Sequence, residues 1–290
     1  MMTRRIDHLV VAVQDLDQAG HFYQRLGFQV GSRNRHPWGT ENRIIQFDGS
    51  FIELITVGEG AAIAPHRESA FSFGGFVQDY LRNREGLAML VLDSQDAKAD
   101  AALFAENGIG AFEPFHFERT GRRPDGSETK VAFTLAFTSA EHSPRAGFFV
   151  CQQHYPENFW NPEFQRHDNQ ASRISSVTLT APEPERLRAF LATFTGVEPR
   201  SPDGDDLSFR LAESHIDVLT PDDAAEIYGS IEAELDQPSL VAFAIRVEDI
   251  QRQARWLDAA EIPYQHIGSR LIVPASAAFG VAIAFEPTQF

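Results

Sequence analysis

Two residues near the start of the chain carry side chains suited to acid–base or metal chemistry. His8 lies in the strand-like segment "IDHLVVAV" and Glu53 in the similar segment "SFIELITV". Side chains alternate between the two faces of a strand, so a helix can cover Leu9 and Val11 while His8 faces the other way. A buried carboxylate is costly without a partner, so Glu53 needs a metal, a histidinium or a hydrogen-bonding network. A histidine and a carboxylate together suit a divalent first-row metal, whereas a lone histidine in an apolar strand is commonly a satisfied core residue.

Further polar residues could join this pair as substrate-binding groups. His36, Thr40 and Asn42 occur in "HPWGTEN", which is also ordinary sequence for a turn that leads into a strand. Gln152 and His154 follow the apolar segment "GFFVC" and could reach the same site from a second strand. His36, Gln152 and His154 are also candidates for missing metal ligands. The simpler interpretation of the two histidines is a turn cap and an exposed strand end.

The elements that would position these residues follow the order strand, helix and three strands. In residues 6–57, Asp15 can cap the helix with Gln18 as its capping-box partner, and Gly27 can end it. Three extended segments follow, around "FQVGSRN", "ENRIIQFD" and "SFIELITV", and an Asp-Gly turn joins the last two.

The same order recurs three times further along the chain, in residues 86–154, 173–220 and 239–286. In the copy that begins at residue 173, Glu183 is the candidate helix cap and Gly196 the stop signal. Aligning Glu183 with Asp15 places Ser176 at the position of His8, and the closing hairpin places Asp217 at that of Glu53. Residues 155–172 show no periodicity and are interpreted as the connection between two halves.

Paired βαβββ modules resemble the vicinal oxygen chelate superfamily, which includes glyoxalase I, extradiol dioxygenases and bleomycin-resistance proteins. The stretch "HPWGTEN" is similar to the His-x-x-x-Gly-Thr-x-Asn motif of its glyoxalase-like subgroup. The resemblance implies an α+β fold with four modules paired into two cupped domains, residues 1–155 and 173–290, joined by a linker at 156–172. It also implies a divalent metal (Zn, Mn, Fe, Co or Ni) bound by His8 and Glu53, with Glu53 as the catalytic group.

The other modules do not repeat this ligand pair. The positions that match His8 are Leu87 or Ala88, Ser176 and Ala242, and those that match Glu53 are Cys151 or Gln152, Asp217 and Ala284. A glyoxalase I site would have four protein ligands, and extradiol iron sites use two histidines and one carboxylate. The pattern here gives only two ligands, so this sequence departs from both the glyoxalase I and the extradiol dioxygenase pattern. We therefore expect the active cup in residues 1–155, and a second half that lacks a metal and supports the first or forms an interface, such as that of a homodimer.

Two functions of different classes remain open at this point. The first is a glyoxalase-like enzyme that acts through a divalent metal on a small oxygen-chelating substrate, as a lyase, isomerase, hydrolase or dioxygenase. The second is a metal-free small-molecule binding or resistance protein in which His8 and Glu53 bind the ligand or each other.

Composition narrows the range of partners. The chain has 290 residues and a formal net charge of −16, which disfavours binding to nucleic acid or anionic membranes. Its one cysteine, Cys151, is expected to be buried core material in a cytoplasmic protein. The basic segment "RTGRRPDG", residues 119–126, is interpreted mainly as a hairpin tip, whose arginines could help admit an anionic substrate. No glycine-rich phosphate loop or Gly-x-Ser-x-Gly elbow is present in the sequence.

Overall fold

The first repeat forms the predicted βαβββ module. The structure, a computed structural model, describes residues 3–122, 128–140, 145–201, 205–230 and 237–288. The first module consists of β1 (Ile6–Ala12), α1 (Leu16–Arg25), β2 (Asn34–Arg35), β3 (Thr40–Phe47) and β4 (Ser50–Val57). The extended segment predicted around "FQVGSRN" is reduced to the two residues of β2, and the other elements lie where the sequence placed them.

The second and fourth repeats follow the same order, whereas the described residues of the third form only two strands after its helix. Helix α2 (Phe73–Leu81) precedes the second module, which contains β5 (Gly86–Asp93), α3 (Ala97–Glu106), β6 (Phe115–Arg122), β7 (Glu128–Thr138) and β8 (Gly147–Gln153). After α4 (Pro156–Phe159), the third module contains β9 (Ala171–Thr180), α5 (Arg188–Thr195), β10 (Leu207–Arg210) and β11 (His215–Leu219). Helix α6 (Pro221–Tyr228) leads to the fourth module, with β12 (Ser239–Val247), α7 (Ile250–Ala259), β13 (Gln265–Ile267), β14 (Arg270–Val273) and β15 (Ala282–Pro287).

The modules combine in pairs to form two curled mixed sheets. The first sheet has the strand order β2-β3-β4-β1-β5-β8-β7-β6, and the second has β10-β11-β9-β12-β15-β14-β13. In each sheet the first strands of two modules pair antiparallel at the centre, β1 with β5 and β9 with β12. Each first strand also pairs parallel with the last strand of its own module, which places β4 beside β1. This α+β arrangement of paired modules confirms the predicted fold class.

Helix ends follow local sequence signals in the first module more closely than in the third. The Asp15 side chain accepts hydrogen bonds from the backbone N–H groups of Asp17 and Gln18, and Gly27 has a φ of 94° directly after the helix. Glu183, predicted as the equivalent cap, makes no capping hydrogen bond. Its prediction as a cap is wrong because Pro184 begins a short 3-10 turn there, and the carboxylate pairs with Arg186 instead.

The two sheets share one hydrophobic core through the faces that carry the helices. Leu9 and Val11 of β1 belong to a buried cluster that also contains residues of β9, α5, β12 and β15. Phe148 of β8 illustrates the contact, because its ring lies 5.0 Å from Phe190 and 5.6 Å from Phe194, both in α5. The opposite face of the first sheet carries a separate cluster with Val10, Ala12 and α2. This second face is the one on which the candidate site lies.

One predicted segment lies partly outside the described residues. Of the predicted hairpin tip, residues 119–126, the first four belong to β6 and the rest lie outside the described residues. Among the described residues, no helix is long and apolar enough to cross a membrane.

Candidate functional site

His8 is buried in the centre of the first sheet and is held on three sides. The residue is 5% exposed, and its ring stacks on Phe51 with a centroid distance of 4.3 Å and meets Phe149 edge-on at 5.5 Å. Its Nδ1 lies 2.6 Å from Oδ1 of Asp7, whose other oxygen accepts a hydrogen bond from Gln153 at 2.7 Å. A carboxylate can only accept here, so Nδ1 carries a proton and Nε2 is the ring atom left for chemistry.

Glu53 lies on the neighbouring strand and has its own set of partners. In the β1–β4 register, His8 is opposite Phe51 and Val10 is opposite Glu53, so Glu53 lies two residues further along the same face. Its Oε1 accepts a hydrogen bond from the Asn42 side-chain amide at 2.5 Å, and Nε2 of His36 lies 3.8 Å away. A buried carboxylate requires such partners, and these are the hydrogen-bonding network that the sequence left as one option.

His8 and Glu53 line the same cavity, which has a volume of about 150 Å³. An apolar cavity of this size accommodates a molecule as large as benzene. Its lining includes Ile44, Leu135, Cys151 and seven aromatic side chains, namely Trp38, Phe51, Phe73, Phe117, Phe133, Phe149 and Phe159. The two polar residues therefore meet inside an aromatic hollow on one face of the sheet.

His36 is fixed next to Glu53 by contacts on both its edge and its face. Its Nδ1 lies 2.8 Å from the Thr40 hydroxyl, and its ring stacks on Trp38 at 4.4 Å. Burial lowers the pKa of His36, the carboxylate of Glu53 opposes this shift, and Arg119 adds to it. The lowered pKa favours a neutral imidazole at pH 7.

The structure separates the predicted substrate-binding residues into two groups. His36 and Asn42 line the cavity, and Thr40 is buried behind them as the partner of His36. Asn42 also keeps a buried side-chain oxygen that finds no hydrogen-bond donor among the described residues.

Gln152 and His154 lie away from the cavity, contrary to the sequence interpretation. Gln152 bonds the backbone of Gln95 and Ala97 at the start of α3, and His154 bonds Thr134 at 2.7 Å. Strand alternation explains the correction, because Cys151 faces the cavity and Gln152 must then face the opposite side. His154 follows the end of β8 and is exposed.

Several residues of the site were not found from the sequence, and four of them show why. By strict alternation Asp7 would face away from His8, but a register irregularity between Ile6 and His8 brings its carboxylate to the imidazole. Phe73 comes from α2 and Phe159 from α4 in the linker, neither of which was predicted as a helix. Arg119 lines the cavity from β6, and the only signal for it was the basic segment that begins there.

Cys151 lines the cavity, but it supplies no thiolate nucleophile. Burial raises the pKa of the Cys151 thiol, and the carboxylates of Asp7 and Glu53 raise it further, so the thiol stays protonated.

The positions of the second sheet that match His8 and Glu53 do not repeat that pair. Ser176 and Asp217 occupy the expected register, because Ser176 is opposite His215 and Thr178 is opposite Asp217. Asp217 is bonded by Ser208 and paired with His215, and Ala242 and Ala284 belong to a small apolar cluster.

The described side chains do not form a complete set of metal ligands. The Asn42 amide already contacts Glu53, and no three His, Cys, Asp or Glu side chains of the described ranges are grouped as a metal would require. Metal sites in enzymes usually have at least three protein ligands, whereas the sequence offered only His8 and Glu53.

Comparisons with known proteins agree with this fold. A family model described as a glyoxalase-like domain matches residues 6–195. A hypothetical protein from Staphylococcus aureus superposes with a TM-score of 0.71 at 13% identity, covering 98% of this chain and 99% of that one. A variant of 4-hydroxymandelate synthase from Streptomyces coelicolor gives 0.64 at 11% identity, with 100% and 95% coverage.

A further structural neighbour is the Mn(II)-bound glyoxalase from Novosphingobium aromaticivorans, with a TM-score of 0.58, 12% identity, and coverage of 98% of this chain and 82% of that one. A search of the curated proteins finds no match. The family model covers more than half of the chain and the structural neighbours share its fold. The chain therefore belongs to the glyoxalase-like domain family of the vicinal oxygen chelate superfamily.

Proposed function

We propose that this protein is a glyoxalase-like enzyme that moves a proton beside an oxygen atom of a small substrate bound in the aromatic cavity. One observation carries the proposal, namely that His8 and Glu53 line the same buried hollow. General acid–base groups need to face a common space from which water is largely displaced, and the aromatic lining provides it. Such a cytoplasmic small-molecule enzyme also agrees with the acidic composition of the chain.

The contacts of each group suggest how the work is divided. Glu53, held by Asn42, takes a proton from the carbon next to a substrate carbonyl. The carbonyl oxygen receives a proton from Nε2 of His8, and Asp7 balances the charge of the imidazolium that gives it. The product is an enol or enediol, and return of both protons completes an isomerisation or exchange. The free oxygen of Asn42 can accept a hydrogen bond from a neighbouring substrate hydroxyl.

The proposal is tested by hydrogen–deuterium exchange at a small hydroxyketone. The probe is 2-hydroxyacetophenone, which has one ring and adjacent carbonyl and hydroxyl oxygens, and NMR in D₂O follows the loss of its CH₂ protons. We expect the protein to accelerate this exchange, and His8→Ala and Glu53→Gln to reduce the acceleration by about 100-fold or more. Asp7→Asn should produce a loss of similar size although it leaves His8 in place. His154→Ala removes a histidine outside the cavity and should leave the rate unchanged.

Metal analysis distinguishes this metal-free mechanism from the metal-dependent mechanism expected from the family. If exchange persists after dialysis against a chelator, His8 and Glu53 suffice for the chemistry. If exchange is lost together with about one divalent ion per chain, and His8→Ala and Glu53→Gln no longer retain that ion, the metal-dependent form is correct. If the probe binds without exchange in the folded protein, the enzyme proposal is wrong and the chain is a binding protein.

A further inference from the structure

Arg119 lies where the aromatic cavity meets a second hollow. The second hollow, here called the outer groove, has a volume of about 480 Å³ and includes Gln29, Ser32 and Asn34 in its lining. Ile44, Arg119 and Phe159 line both spaces. A ligand that enters the cavity from the outer groove must therefore pass the guanidinium of Arg119.

Arg119 is the cation of this region that lacks a partner among the described residues. Arg33 pairs with Asp17 at 3.0 Å and with Glu41 at 2.6 Å, and Arg35 lies 3.9 Å from Glu41. On the other side, Lys130 pairs with Glu118 at 2.7 Å.

Arg119 itself forms no hydrogen bond or ion pair within the described ranges. Partial burial lowers its pKa, and the charge of Glu53 opposes that shift. An arginine stays protonated in proteins, so a positive charge without a hydrogen-bonded carboxylate among the described residues remains where the cavity meets the outer groove, in a chain of net charge −16.

The charges of the cavity limit the ligand to one negative group. A guanidinium binds a carboxylate through two parallel hydrogen bonds, which fixes both position and orientation. Asp7 and Glu53, each no more than 5% exposed, are negative groups in or beside the cavity, and Glu118, which pairs with Lys130, also lines it. They disfavour a second negative charge on the ligand, so a monocarboxylate fits this surrounding better than a phosphate ester.

We propose that the substrate class is a small monocarboxylate, with an apolar body of about one ring in the aromatic cavity and its carboxylate at Arg119. This inference rests on the proposed function, because it takes the aromatic cavity as the substrate site. It also assigns an orientation to the bound ligand. The reacting oxygen lies at His8 and Glu53, and the carboxylate lies at Arg119. Extensions beyond the carboxylate would lie in the outer groove, beside the polar residues there.

Calorimetric titration with three ligands of equal ring size tests this assignment. The probes are phenylacetate, its neutral isostere phenylacetamide, and phenyl phosphate. We expect phenylacetate to bind about tenfold or more tightly than phenylacetamide, since a hydrogen-bonded charge pair is worth at least that factor. In Arg119→Gln the two affinities should become equal through a loss for phenylacetate alone. Arg210→Gln makes the same change of charge at the exposed end of β10 and should change neither affinity.

The contrary outcomes separate this inference from the proposed function. If phenylacetamide binds as well as phenylacetate, or if Arg119→Gln changes neither affinity, the carboxylate assignment is wrong while the cavity remains a binding site. Tighter binding of phenyl phosphate than of phenylacetate would overturn the monocarboxylate class in favour of a phosphate ester. If none of the three ligands binds, both the carboxylate assignment and the use of this cavity fail.

Discussion

His8 and His167 differ in what their two ring nitrogens contact, and this decides what each can do. His8 uses Nδ1 for Asp7 and keeps Nε2 for the cavity. His167 uses both nitrogens for the backbone, because Nδ1 accepts a hydrogen bond from the Gln29 N–H at 3.0 Å and Nε2 donates to the Gln46 carbonyl at 2.8 Å. His8 is therefore available for chemistry, whereas His167 ties the linker to the first sheet.

His167 should make the stability of the protein depend on pH. Burial lowers its pKa below the usual 6.5, although the Gln46 carbonyl opposes the shift, and an accepting Nδ1 requires the neutral ring. Because the folded-state pKa is depressed, the unfolded chain binds the proton more readily. The stabilisation is complete above about pH 6.5 and is lost as the pH falls through the folded-state pKa.

His167→Gln tests this dependence through urea unfolding at about pH 7.5 and pH 5. The variant should lose ~1–3 kcal/mol of unfolding free energy at the higher pH, because buried backbone groups lose their partners. The decrease between the two pH values should be smaller than in the wild type. His36, whose pKa is also lowered by burial, remains in both proteins and contributes equally to both. An unchanged decrease in the variant would show that His167 does not titrate in this range.

At the scale of single elements, the sequence predicted best where local chemistry alone determines structure. The alternation in β1 and β4 predicted which way His8 and Glu53 point, and the Asp-Gly turn joined β3 to β4 as expected. Gly27 ends α1 with a positive φ that other residues rarely adopt. These features depend on residues close together in the chain, so one sequence suffices to find them.

The parts of the site that were not predicted depend on tertiary structure. Helix α2 carries two glycines in its first turn and α4 has only four residues, so neither gives a strong helical signal. Their Phe73 and Phe159 line the cavity from outside the sheet. Asp7 faces His8 only because the β1–β5 register shifts there. Gln152 was assigned to the cup from its place after "GFFVC". Alternation alone does not say which residues of a strand face the cavity until the orientation of one of them is known. Register and curvature are properties of the paired strands, not of either strand alone.

The contrast between Asp15 and Glu183 gives a prediction for a single element. Asp15→Ala removes two hydrogen bonds to the first turn of α1 and should lower the unfolding free energy by ~1 kcal/mol. Glu183→Ala removes only an exposed pair with Arg186 and should change it by less than ~0.5 kcal/mol. Urea unfolding of both variants at neutral pH measures the difference. Equal losses would mean that Glu183 also caps its helix in solution.

At the scale of the whole molecule, the two halves pack against each other through a shared core. The face of the first sheet opposite the cavity packs on the second half, with Phe22 5.7 Å from Phe279 and Phe28 6.0 Å from Phe285 between ring centroids. Backbone hydrogen bonds also cross between the halves, as from Ala212 to the Arg4 carbonyl. The second half therefore supports the sheet that carries His8 and Glu53, although none of its described residues lines the aromatic cavity.

Phe148→Ala tests whether this shared core couples the two halves. Phe148 is fully buried in β8 against α5, so truncation should cost ~3–5 kcal/mol. Variants that retain only Trp38 or only Trp256 report on the first and second halves separately, and both should show the same lowered unfolding midpoint. Phe164→Ala truncates an exposed phenylalanine and should change the midpoint little. If Trp256 reported an unchanged midpoint while Trp38 shifted, the halves would unfold independently, and the second half could not be what holds the sheet of His8 and Glu53 in shape.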